Sequence, residues 1–284
     1  MKQPICIYHG NCADGFGAAW VVWRYGLVST EFFGANYGGP LPDIDDRDVL
    51  FVDFSVKRDA MEEILSKANT VTVLDHHKTA EDDLLPLFES GAIQGVFDMN
   101  RSGVMLAWDW FCPHKKPPRL LEHIQDRDLW RFELPNTREI QAALFSYPYD
   151  FEVWDELMLG DYCVRLTEEG KAIERKHHKD IAELADASSR EMVIGGHKVA
   201  VVNLPYTMAS DACHMLCEAG NPFGASYFDA KDGRLFSLRS VGDFDVSEIA
   251  KGYGGGGHKN AAGFKMPHGW GGEIEESNSS EGEK

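Results

Sequence analysis

The chain has 284 residues, 43% hydrophobic and 11% aromatic, which suits one large core or two ordinary ones and excludes a disordered chain. The net charge is −18, and five acids against one lysine in residues 271–284 account for four of those charges. Such a surface repels long duplex nucleic acid, which binds by having many phosphates neutralised, but it admits small anions wherever local cations or metals offset it.

From the start of the chain, Met1-Lys2-Gln3-Pro4 leads straight into a strand-like segment, with no basic stretch followed by an apolar one, so no signal peptide is expected. Residues 4–8 read as a buried strand and 15–25 as a helix. A strand at 49–53 precedes a helix at 57–68, a strand at 71–74 precedes a helix at 81–90, and 94–98 is a further strand. Short apolar strands alternating with helices predict an α/β fold, a parallel sheet with helices on both faces. Ligand sites in such sheets lie beyond the carboxyl ends of the strands, where His9, Asp14, Asp53 and Asp75 fall. Residues 102–159 read as mainly helical around a proline-rich break at 113–118. A charged helix without a strong apolar face, 167–190, follows as connector. Strands at 192–195, 197–203, 226–229 and 235–241, with a helix near 211–218, make a smaller α/β unit. The predicted division is 1–160, a connector at 161–190, a second domain at 191–268 and an acidic disordered tail at 269–284. No apolar run is long enough to cross a membrane. Cys6, Cys12, Cys112, Cys163, Cys213 and Cys217 form no C-x-x-C pair, so a reducing, cytoplasmic setting is expected.

Five clusters carry chemistry. His9-Gly10-Asn11-Cys12-Ala13-Asp14-Gly15 sits at a strand-to-helix turn and offers imidazole and carboxylate donors; a capped helix beside a surface histidine would look the same. Asp53 ends a strand, where an acid is more often a turn residue. Asp75-His76-His77 is sharper, because adjacent histidines after a buried strand can divide metal binding from substrate contact while the aspartate orients a ring. His177-His178, a similar pair inside a charged helix, reads as solvated surface. Gln125-Asp126-Arg127-Asp128 places acids on a helical segment. Gly254-Gly255-Gly256-Gly257-His258-Lys259 could close backbone amides around a phosphate, reinforced by a helix start after it. Cys213-His214 with Cys217 lacks the further ligands a closed zinc site needs and reads as buried helical thiols.

The order of His-x4-Asp-Gly, a strand-end Asp, Asp-His-His, a later Asp and a C-terminal Gly-Gly-Gly-His resembles the DHH phosphoesterase superfamily, over about residues 5–266. The resemblance points to the branch of RecJ exonucleases and nanoRNases, with its C-terminal glycine-histidine domain, rather than to pyrophosphatases. It implies a manganese-dependent phosphoesterase with one or two ions on His9, Asp14, Asp53, His76 and Asp126, Asp53 bridging. By the same resemblance, Asp75 and His77 are catalytic, and Arg239, Gly255, Gly256, Gly257 and His258 bind substrate. Where the family carries two acids one residue apart in its first motif, this chain has Cys12 before Asp14. The thiol is therefore either a softer extra ligand or a sign of a weaker or different metal site. The implied function is hydrolysis of phosphodiester or phosphomonoester bonds in short oligonucleotides or small nucleotides, as a monomer or homodimer. The rival readings are a RecJ-like 5′–3′ single-strand exonuclease, for which Trp130-Arg131-Phe132 is the local candidate for base stacking, and a non-catalytic nucleotide sensor.

Overall fold

The computed structural model describes residues 2–160 and 162–273, so residues 274–284 of the predicted acidic tail lie outside the described part. The chain divides into two compact units, Met1–Arg175 and Lys176–Lys284, with the boundary inside the segment read as a connector.

The first unit runs β1 (Ile5–His9), α1 (Ala13–Tyr25), β2 (Glu31–Ala35), β3 (Asp48–Val52), α2 (Arg58–Leu65), β4 (Thr70–Asp75), α3 (Lys78–Glu89), β5 (Gln94–Phe97), α4 (Gly103–Phe111), α5 (Arg119–Asp128), α6 (Thr137–Leu144) and α7 (Phe151–Leu159). Its sheet is wholly parallel, in the order β2-β1-β3-β4-β5. The register pairs His9 with Ala35, Tyr8 with Val52, and Val52 with Leu74, so the carboxyl ends lie together. The chain leaves β1 towards β2 on one side and returns to β3 on the other. The gap between β1 and β3 is thus the topological switch point where such sheets bind ligands. Side chains alternate across the sheet. Cys6, Val52 and Leu74 enter one core with α1, α4, α5 and α7, while Ile5, Ile7, Phe51 and Val73 enter another with α2 and α3. Ten consecutive residues of α1, Ala13 to Val22, are buried, as expected of a helix that is apolar or small on every side. The sequence reading omits β2, an edge strand of Glu-Phe-Phe-Gly-Ala whose burial does not alternate.

A long helix, α8 (Cys163–Ser188), begins in the first unit and continues into the second. It has more of an apolar face than its charges show, since Leu166, Ile181 and Ala185 are buried. The second unit adds β6 (Arg190–Ile194), β7 (His197–Asn203), α9 (Ala209–Glu218), β8 (Gly224–Ala230), β9 (Gly233–Arg239), α10 (Val246–Gly252), β10 (Gly256–His258) and β11 (Ala261–Met266). Its six strands lie in the order β10-β11-β9-β8-β7-β6, antiparallel except for β7 with β8. The helix expected after the glycine run is absent: Gly256–His258 is an edge strand that pairs with β11. The glycines are needed for that packing, because a Cβ at Gly255 would overlap the carbonyl of Gly263, and Gly257 has φ +141°. His177 also departs from the solvated reading, since its Nε2 lies 3.1 Å from Asp211 Oδ2. Cys213 and Cys217 donate their thiols to the carbonyls of Ser237 and Arg239, at 3.4 and 3.0 Å.

Candidate active site

At the switch point the ends of β1, β3 and β4, with α1 and α5, bring six side chains to one place. Asp53 follows β3 with φ +51°, a left-handed backbone uncommon for a non-glycine residue, and is buried. Its Oδ1 lies 3.0 Å from His76 Nε2. Its Oδ2 accepts no hydrogen bond among the described residues and has His9 Nδ1 at 3.6 Å. The same His76 nitrogen is 3.7 Å from Asp14 Oδ2 and 3.5 Å from Asp128 Oδ2. Donor atoms of His9, Asp53 and His77 lie within 4.8 Å of one another, as do those of Asp14, Asp53 and His76, so two triads share Asp53.

The later acid is a correction. Asp126 is buried but faces away: Oδ1 accepts from Glu133 N at 2.8 Å, and Oδ2 from Leu134 N at 3.1 Å and the Thr137 hydroxyl at 2.6 Å. Asp128, two residues on, supplies the carboxylate beside His76. Successive residues of a helix are about 100° apart, so acids two apart point to nearly opposite sides, and only one can reach the strand ends.

Asp75 does not join the donor cluster. It is fully buried at the end of β4; Oδ1 accepts from His77 Nδ1 at 2.7 Å and His76 N at 2.7 Å, and Oδ2 accepts from the Ser55 hydroxyl at 2.8 Å. A carboxylate there fixes the proton of His77 on Nδ1 and leaves Nε2 as acceptor or ligand. Burial alone would raise the Asp75 carboxyl; the His77 and His76 rings hold it down at about 2.

The electrostatics of the cluster are those of a cation site. Burial lowers the His9 and His76 imidazoles, but the facing carboxylates reverse this and hold both well above the usual histidine range. Burial raises Asp14 well above the usual carboxylate range, with Asp128 and Asp53 adding to it. Burial also raises Asp128 against the pull of His76, and Asp53 raises it further. Only Asp53, between His76 and His9, is held well below that range, against its burial. Asp14, Asp128 and the two imidazoles hold protons more tightly where they lack a cation, and nitrogen and oxygen donors without a required thiolate suit a manganese- or magnesium-type ion. The carboxylate oxygen of Asp53 that takes no hydrogen bond fits such a ligand. Cys12 lies beside the cluster, close enough for the His9 ring and the Asp53 and Asp128 charges to act on its thiol; burial raises that thiol above its ordinary value.

Two further residues shape the site and carry no sequence signal of their own. Gly103 opens α4, and its N–H, with that of Val104, donates to the two Asp14 oxygens at 2.5 and 3.1 Å, so a helix start anchors the carboxylate. A Cβ on Gly103 would overlap the Asp53 side chain. Tyr37, 57% exposed after β2, sets its ring 5.5 Å from His9 and 6.0 Å from His77, so a partly exposed aromatic ring borders the two histidines.

In the second unit, Ala261 pairs with Arg239 on one side and with His258 on the other. Residues directly opposite in a sheet share a face, so the predicted phosphate residues Arg239 and His258 stand in one row across β9, β11 and β10. The Arg239 guanidinium donates to the Leu238 carbonyl and the Ser210 hydroxyl, both at 2.8 Å.

Comparison with known proteins gives the family. Residues 205–278 match the DHHA1 domain model. The chain is 31% identical over 93% of its length to the protein R106 of Acanthamoeba polyphaga mimivirus, and spans 67% of that protein. The chain belongs to the DHH phosphoesterase superfamily. A second DHH relative, the oligoribonuclease NrnB of Bacillus subtilis, is 28% identical over 78% of this chain, which spans 60% of its length. Among solved structures, RecJ of Thermus thermophilus in complex with Mn2+ matches 93% of this chain and 49% of its own, with a TM-score of 0.51 and 17% identity, a likeness of DHH fold alone. None of the described helices is long and apolar enough to cross a membrane.

Proposed function

We propose that this DHH protein is a metal-dependent phosphoesterase that hydrolyses phosphodiester or phosphomonoester bonds in short oligonucleotides or small nucleotides. One observation carries the reading: Asp53 turns its two oxygens toward His9 and His76, with Asp14 and Asp128 beside His76. Such a set would hold one or two ions, with Asp53 between them. Bound manganese would lower the pKa of a water and neutralise charge building on the phosphoryl oxygens. His77, its Nδ1 proton fixed by Asp75, presents Nε2 toward the same place, where it assists proton transfer or meets the phosphoryl charge. Arg239 and His258, from the second unit, would hold a substrate phosphate, the guanidinium by two-point contact.

The short-substrate reading is supported by the acidic surface and by the kinship with a protein named oligoribonuclease. The RecJ-like alternative is less favoured because the aromatic rings that would stack bases are already faced by cations. Arg127 and Arg138 lie 5.2 and 5.7 Å from the Trp130 ring centre, and Arg138 lies 3.7 Å from that of Phe132. The test is release of mononucleotide from dinucleotides and short oligonucleotides with manganese, abolished in Asp53→Ala. No turnover of any phosphoester with manganese, magnesium, cobalt or zinc, together with loss of metal binding in Asp53→Ala, would leave the sensor reading instead.

A further inference from the structure

A second cleft in the first unit shares no lining residue with the Asp53 cluster. It lies among α5, the loop before α6, α6 and the start of α8, with a volume of about 290 Å³. That is at the small end for ligand pockets, room for a compact anion rather than an oligonucleotide. His123 lines it and is only 2% exposed.

The hydrogen bonds of His123 settle what it offers the cleft. Its Nδ1 is 2.8 Å from the Thr137 hydroxyl oxygen, and that hydroxyl is 2.6 Å from Asp126 Oδ2. A carboxylate can only accept, so Thr137 gives its proton to Asp126 and accepts the Nδ1 proton of His123. The other ring nitrogen, Nε2, then carries a lone pair, and no described residue hydrogen-bonds to it. Burial and the nearby Arg119 charge hold the ring below the usual histidine range, so it stays an acceptor at neutral pH. An acceptor that opens on a cavity is available to a donor on a ligand there.

Cations stand around the same cleft. Arg119 lines it and forms no ion pair among the described residues, notable in a chain of net charge −18. Lys171 and the carboxylate of Glu168 line it as well and pair with each other at 2.5 Å, so Arg119 is the cation left to meet an anion. Asn136 lines it with a side chain that does not cap α6. The matching ligand combines anionic oxygens for Arg119 with a hydroxyl donor for His123. A carboxylate or sulfate has the charge without the donor, whereas a hydrogen phosphate group has both.

We propose that this cleft is a second anion site that takes a hydrogen phosphate group, free or as the monoanion of a small monoester, with its P–OH donated to His123 Nε2 and its charged oxygens held by Arg119. The site is distinct from the Asp53 cluster and from the Arg239–His258 row.

Nitrogen-15 NMR of the histidine side chains, on the full chain carrying Asp53→Asn and without divalent metal, reads this site directly. The His123 resonance is assigned by its loss in His123→Gln. Inorganic phosphate should shift it saturably in the millimolar range. Sulfate, and phosphate with Arg119→Ala, should bind about tenfold or more weakly, the loss expected for one charge-assisted hydrogen bond. Arg119 is at the surface, so its variant should fold, as a melting curve checks. Tighter binding of adenosine 5′-monophosphate than of phosphate assigns the site to a nucleotide, and equal binding assigns it to the phosphate group alone. An unmoved His123 resonance, equal response to sulfate and phosphate, or unchanged affinity in Arg119→Ala overturns the proposal.

Discussion

Asp75 shows how much can rest on a carboxylate outside the donor cluster. It holds the His77 ring by Nδ1, two backbone N–H groups and the Ser55 hydroxyl. Asp75→Asn should lower kcat about 10- to 100-fold, the usual cost of losing the partner that orients a reactive imidazole, while metal affinity by calorimetry changes less than in Asp53→Ala. Unchanged kcat would remove Asp75 from the machinery. Its carboxyl, held down at about 2, also links stability to pH. A carboxyl depressed in the folded state stabilises above its unfolded value of about 3.9 and loses that contribution as pH falls toward 2. Melting curves should therefore show wild type losing roughly 2 kcal/mol more than Asp75→Asn between pH 5 and pH 2. At the opposite wall, Gly103→Ala adds a methyl against Asp53 and should weaken metal binding while the chain still folds, measurable by manganese titration.

At the scale of elements, α5 carries two acids with opposite duties. Asp128 faces the strand ends, and Asp126 ties the α5–α6 loop through Glu133, Leu134 and Thr137. Asp128→Ala should cost metal affinity with little change in the melting temperature of the metal-free protein. Asp126→Ala should do the reverse, costing about 1–3 kcal/mol for each buried donor left unmet. Calorimetry and chemical denaturation on the two variants separate these outcomes; equal loss of metal in both would restore Asp126 as a ligand. The resemblance in the sequence pointed to Asp126, and nothing in the residues themselves separated it from Asp128. Both are acids in one helical stretch, and which side of the helix faces the sheet is set by the apolar residues Leu120, Leu121 and Ile124 in its core contact. The helix expected after the glycine run is missing for a related reason. Composition says that the backbone approaches something closely, but whether that is a phosphate or the neighbouring strand depends on pairing with β11.

At the scale of the whole molecule, net charge makes a prediction about substrate length. With −18 overall, activity should fall as substrate length grows and be lowest on long duplex, measured as kcat/KM over a length series at fixed salt. A rise with length would favour the RecJ-like reading. The parallel sheet, the strand ends and the Asp75-His76-His77 motif were legible in the sequence, because apolar strands alternating with helices admit few architectures and metal chemistry needs a narrow set of donors. Tertiary structure alone decided which ring Asp75 holds, that Asp128 rather than Asp126 stands beside His76, and that Gly103 and Tyr37 border the cluster. Those choices depend on which side chains meet across elements far apart in the chain. Asp14 reaches Gly103 and His76 reaches Asp128 only once β1, β3 and β4 lie side by side and α4 and α5 pack against them.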